Sequence, residues 1–171
     1  MNVNFLNPFL DAANEVLKQE TRLDFIRGGL SLDKSHYISD DVTVILAIVG
    51  MVSGNVFYSM DQATALNLAS RMMYEPFEEF NSLAQSGIAE LGNVITGKAS
   101  VKLSQSGYEA TISPPTLIQG KGATINTLDY PRIIVPLVAE NASVVIHLAL
   151  KETAGSRLNA AAIPVPDRPN I

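Results

Sequence analysis

Glu90 and Asn93 are the side chains of this sequence best placed to do chemistry. A carboxylate can hold a cationic group of a partner, and a primary amide can hydrogen-bond a water without adding charge. Placed at about 100° per residue, they share one helical face with Ser86 and Gly97, at spacings i, i+4, i+7 and i+11. Ala84, Ile88, Leu91 and Ile95 fall on the opposite stripe, which should face a core. Gly97 leaves room on the outer face for another backbone to come close. Spacing alone does not decide between a site and a solvated surface. Every surface helix has a polar outer face, and Glu78 with Asn81 repeats the same interval.

Other chemistries have little footing. The absence of cysteine removes disulfides, a thiol nucleophile and cysteine-bound metal. His36 sits in a polar stretch and His147 in an apolar one, without the His-x-x-x-His spacing of a metal site. Both read as structural. Ser104, Ser106 and Ser113 lack a Gly-x-Ser-x-Gly context, and there is no Gly-x-x-x-x-Gly-Lys phosphate loop. A net charge of -5 argues against nucleic acid, whose binding needs clustered Lys and Arg, and against an anionic membrane surface. The opening Met1-Asn2-Val3-Asn4 lacks a basic stretch, so no secretory signal is expected. The most apolar run, residues 42–52, is about half a membrane span and reads as a buried strand.

With 47% hydrophobic residues among 171, the chain can bury one core. A first helix is expected to about residue 18, with Asn7 as its cap and Pro8 at its first position. Strands follow at about 23–32, 42–49 and 54–60, the last after a Ser53-Gly54 turn signal. Asp61 should cap a second helix reaching about residue 74, and a long third helix covers about 80–100. Strands at about 108–117, 124–138 (broken at Pro131) and 143–150 complete the domain, with the apolar stretch 133–138 read as an edge in need of cover. This order predicts an α+β fold, with a mainly antiparallel six-stranded sheet, two long helices packed on one face and a shorter helix. Residues 1–153 form the domain, and 154–171, with Pro164, Pro166 and Pro169, form a mobile tail.

Ser86-x-x-x-Glu90-x-x-Asn93 resembles the Ser/Asp-x-x-x-Glu-x-x-Asn signature of the CheX, CheC and FliY phosphatase family. Glu78 and Asn81 fail it, because Tyr74 stands in the first position. Asn7-Pro8-Phe9-Leu10 resembles the opening helix of the CheX branch, and residues 88–97 resemble its active-site helix. Ser113-Pro114-Pro115 followed by Gly120 resembles the segment after that helix. The likeness spans about residues 1–150.

The resemblance implies a cytoplasmic enzyme that hydrolyses the aspartyl phosphate of a phosphorylated CheY-like response regulator. It implies that Asn93 orients the attacking water, that Glu90 pairs with the regulator's lysine, and that Ser86 and Gly97 support them. It implies no cofactor of the protein's own, with Mg2+ carried by the partner, and a homodimer joined partly through strands. The residue types suit the task. An acyl phosphate in a receiver already has metal and lysine beside it, so an aligned water is the missing part. A charged carboxylate in place of the amide would repel the phosphoryl group. Asp11, Glu15 and Lys18 repeat the spacing with lysine for asparagine, which makes them either a decayed second copy or an ordinary charged face. The rival reading is a non-catalytic dimeric adaptor that binds a receiver or a flagellar motor component.

Overall fold

The computed structural model describes residues 3–127 and 130–153, and the tail expected over 154–171 lies outside them. A 3-10 turn, Val3–Phe5, runs into helix α1, Leu6–Thr21. Short strands β1 (Ile26–Arg27), β2 (Ser31–Asp33) and β3 (Tyr37–Ile38) precede the long strands β4 (Val42–Gly50) and β5 (Val52–Met60). Helices α2 (Gln62–Met73) and α3 (Ser82–Gln105) come next. Strands β6 (Ala110–Ile112), β7 (Thr116–Gln119), β8 (Thr124–Ile125), β9 (Arg132–Ala139) and β10 (Ala142–Glu152) complete the order.

Every strand pairing is antiparallel, and the main sheet runs β1-β9-β10-β5-β4-β6. Strand β2 also lies along β9, and β7 along β4. Eight segments therefore fill the six positions expected. Strands β3 and β8 make a separate two-stranded ribbon. Alternation decides which face the helices cover. Val42, Val44, Leu46 and Ile48 of β4 join Val56, Tyr58 and Met60 of β5 in one core with the buried stripes of α1, α2 and α3. As expected, two long helices and one shorter helix share this face. No helix of the described residues is long and apolar enough to cross a membrane.

Four local expectations change. Asn7 does not cap α1. The helix starts two residues earlier, at Leu6 from Phe5 with no side-chain cap, and Pro8 sits within the first turn, where a missing N–H costs nothing. The β4–β5 turn is at Gly50 and Met51 rather than at Ser53-Gly54. Gly54 instead marks a close approach of strands, since a Cβ there would stand 1.9 Å from the Ala149 carbonyl oxygen. Residues 108–117 split into two strands because Pro114 and Pro115 have no N–H to donate. Ser113 bridges the gap, its N–H donating to Ala47 O and its Oγ accepting from Ala47 N, both at 2.9 Å. Finally, 133–138 is not an edge. Strand β10 covers one side of β9, and β1 and β2 cover the other, so the sheet edges are β1/β2 and β6/β7.

The second face of the sheet carries a small cluster under the β3–β8 ribbon. Tyr37 stacks on Phe57 at 4.9 Å and meets the edge of His147 at 4.8 Å. Arg132, 2% exposed, donates from Nη2 to Asp33 Oδ2 at 2.7 Å and lies over the Tyr37 ring. Burial first, and the Arg132 charge second, lower the His147 pKa to about 4. The folded protein thus keeps this imidazole neutral, while the unfolded chain protonates it near its ordinary value of 6.5. Between those values the unfolded state binds more protons, so stability falls as pH drops through the window, by about 3 kcal/mol in all. His147→Gln should flatten that part of the curve. Urea unfolding of wild type and variant between pH 7 and pH 4 checks it, and parallel curves would contradict it.

Candidate active site

Asn81 starts α3. Its side-chain oxygen accepts from the N–H groups of Leu83 (3.1 Å) and Ala84 (3.0 Å), satisfying two of the helix's unpaired donors. That capping task accounts for the Glu78-x-x-Asn81 repeat without any catalytic role. The expected inner stripe of Ala84, Ile88, Leu91 and Ile95 is buried throughout, joined by Gly87, Gly92, Thr96, Ala99 and Leu103.

Two contacts that sequence reasoning missed fix the rotation of this helix. The Tyr58 hydroxyl, on strand β5, lies 2.8 Å from Thr96 Oγ1. Thr96 itself donates to Gly92 O at 2.7 Å, so the phenol is the donor to Thr96. Burial pushes the Tyr58 pKa far up and keeps that donor neutral. At Gly92 the helix presses onto the sheet, and a Cβ there would stand 2.8 Å from Val44 Cγ1. The signal available in the sequence was Thr96, a polar residue on the apolar stripe one turn from Gly92.

With the inner stripe pinned, the outer stripe is determined. Ser86 and Glu90 are exposed, and Asn93 and Gly97 are half-buried on the same side. Asn93 donates from Nδ2 to Glu90 Oε2 at 3.3 Å, which ties the two side chains into one unit. Asn93 Oδ1 then points away from the bond and is the acceptor this unit offers. Ser86 is turned onto its own helix, donating to Ser82 O at 2.9 Å rather than to Glu90 or Asn93.

Gly97 stands apart from its neighbours. Gly92 has an internal reason to lack a side chain, with Val44 Cγ1 2.8 Å and Tyr58 Cδ2 3.3 Å from a Cβ, while at Gly87 the Met73 methyl, the free end of a flexible side chain, lies 2.6 Å away. At Gly97 the nearest atom, Ile112 Cδ1, is at an ordinary 3.7 Å. The protein's own packing therefore does not need a glycine that costs helix stability.

The α1 repeat is occupied internally. Glu15 accepts from Lys98 at 2.5 Å and lies 3.9 Å from Lys102, and the Lys98 bond lowers its pKa. Lys18 pairs with Asp24. Its glutamate is thus already neutralised by the protein's own lysines. His36 is exposed, and Ser113 serves the sheet.

Four open cavities of about 440 to 570 Å3 lie elsewhere, and neither Glu90 nor Asn93 lines any of them. The pair projects from a convex helix. Such a site cannot enclose a small substrate, but it can enter a cleft that a larger partner brings.

The family described as chemotaxis phosphatase CheX matches residues 42–138. The CheY-P phosphatase CheX of Thermotoga maritima is 26% identical over 152 residues, covering 88% of this chain and 98% of that protein. A CheC-like superfamily protein from Shewanella superposes with a TM-score of 0.80 at 29% identity, covering 88% of this chain and 99% of its own. The CheX-CheY-BeF3-Mg2+ complex from Borrelia burgdorferi gives a TM-score of 0.76 at 27% identity, covering 88% of this chain and all of the matched one.

Gly97→Ala should stabilise the fold by about 0.5–1 kcal/mol, because alanine fits the space and favours the helix. Chemical denaturation measures it. A destabilised variant would show that the glycine has an internal role after all.

Proposed function

The chain belongs to the CheX family of chemotaxis phosphatases, and from that premise we propose that Glu90 and Asn93 hydrolyse the aspartyl phosphate of a CheY-like response regulator. The observation that carries this reading is the hydrogen-bonded pair itself, held on the outward stripe of a pinned helix and outside the four cavities described. A receiver supplies the cleft, the phosphoryl group, a lysine and Mg2+, and this protein adds the part that completes them. No cofactor of its own enters the reaction, and the protein works in the cytoplasm, where its substrate is.

In the proposed step, Asn93 Oδ1 accepts a hydrogen bond from a water and holds its oxygen in line with the bond between phosphorus and the aspartate oxygen. The new P–O bond forms as that bond breaks. The receiver aspartate leaves as a carboxylate, and the water's proton passes to the phosphate or to solvent. Alignment of this kind lowers the barrier without charge transfer to the enzyme. The amide suits the position because it is neutral, whereas a carboxylate would face the phosphoryl oxygens with like charge.

Glu90 has two tasks. One oxygen accepts from Asn93 Nδ2 and fixes which way the amide faces. The other accepts from the receiver lysine and sets the docking register. Gly97, one turn further on, lets the receiver backbone approach. Ser86, bonded to its own helix, is a minor contact. An adaptor that only bound a receiver would leave the oriented amide without a task.

The test is the decay of a phosphorylated CheY-like receiver. Wild type should accelerate it. Asn93→Ala should lower the rate at saturation roughly 10- to 100-fold or more, with binding retained. Glu90→Gln keeps a group that can face the amide but loses the charge, so its main effect should be weaker binding. Unchanged decay with wild type across receivers of the same organism would hand the site to the adaptor reading.

A further inference from the structure

The outward stripe of α3 is divided lengthwise. At about 100° per residue, Ser86, Asn93, Gly97 and Ser104 lie to one side of Glu90. Leu83, Val94 and Val101 lie to the other, within about 20° of one another. Their exposures are 50%, 39% and 58%. They are the only exposed large apolar residues in any helix of the described residues, since α1 and α2 present none. They span about 27 Å at 1.5 Å per residue. Scattered surface apolar residues need no explanation. Three aligned on the one helix that carries the amide form an interrupted line past Glu90, and two of them are β-branched residues that helices tolerate less well than alanine.

We propose that Leu83, Val94 and Val101 form an apolar rail that seats the receiver and sets its affinity, separately from the residues that set the rate. The inference rests on the receiver being the substrate. Any body resting on Glu90 with its phosphoryl group at Asn93 on one flank must cover Val94 on the other. Gly97, on the Asn93 flank, has no internal need to be a glycine and lets that body come close. The rail is therefore continuous with the catalytic unit and is buried by the same approach. The receiver surface it fits is an apolar strip beside the phosphorylated aspartate. Lys98 and Lys102, the two lysines of α3, both lie against Glu15, so apolar burial rather than charge does most of the work on this flank.

The double variant Val94→Thr, Val101→Thr keeps side-chain shape on an exposed surface and should leave the thermal midpoint unchanged. Titration of the receiver in its phosphorylated form and measurement of its decay at saturation give the two readouts. The rail predicts a dissociation constant raised about 10-fold, from loss of apolar burial. It predicts a saturating rate within twofold of wild type, and a wild-type-to-variant affinity ratio that persists at high ionic strength, because apolar contacts are not screened. A dissociation constant within twofold of wild type overturns the rail and leaves the proposed function standing. A lower saturating rate at unchanged affinity also overturns it. Failure of wild type to speed decay removes the proposed function by itself, whatever the affinity ratio shows.

Discussion

The buried bond from the Tyr58 hydroxyl to Thr96, with Gly92 pressed against Val44 one turn away, determines what the rest of the molecule can do. A helix of 24 residues with apolar positions on much of its circumference could pack on a sheet at several rotations. A single polar partner in the core removes that freedom, because any other rotation would leave a buried hydroxyl unpaired. The missing side chain at Gly92 then sets how closely the helix approaches. Once the inner stripe is fixed, Glu90 and Asn93 face outward as a matter of geometry.

That platform explains why so little chemistry is needed. Glu90 and Asn93 line none of the four cavities described, so on the proposed reading every group that must neutralise charge comes from the partner. What the protein contributes is direction. Glu90 holds one end of the Asn93 amide, and in the proposed step the other end holds a water. Helix α1 shows the contrast. Its equivalent glutamate is taken by Lys98 and Lys102, and its third position is a lysine tied to Asp24. Ion pairs of this exposed kind add little stability, but in this structure they face these side chains toward their own fold.

Much of this was legible in the sequence, and the failures have identifiable causes. The helical period of Ala84, Ile88, Leu91 and Ile95 announced which side of α3 was buried, and the resemblance over Ser86, Glu90 and Asn93 singled out the other. Spacing could not separate Glu90 and Asn93 from Glu78 and Asn81. The structure does, because Asn81 is occupied capping the helix. Gly54 was read as a turn because a glycine's local signal is the same whether the chain reverses or a neighbouring strand comes close. The neighbour here is β10, some 95 residues later (Gly54 against Ala149). The covering of β9 by β1 and β2 was likewise hidden, since pairing between strands about 100 residues apart (Asp33 with Arg132) leaves no mark on local pattern.

The central claim is that Asn93 works as a neutral group orienting water, not as a base. Exchange of Asn93 for aspartate keeps size and shape and changes only charge and donor capacity. With phosphorylated receiver at saturation, the decay rate of the Asn93→Asp variant should fall close to that of the receiver alone, at neutral pH and above. A variant that kept the wild-type rate there, and lost it only as the new carboxylate was protonated, would make position 93 a general base and contradict the account.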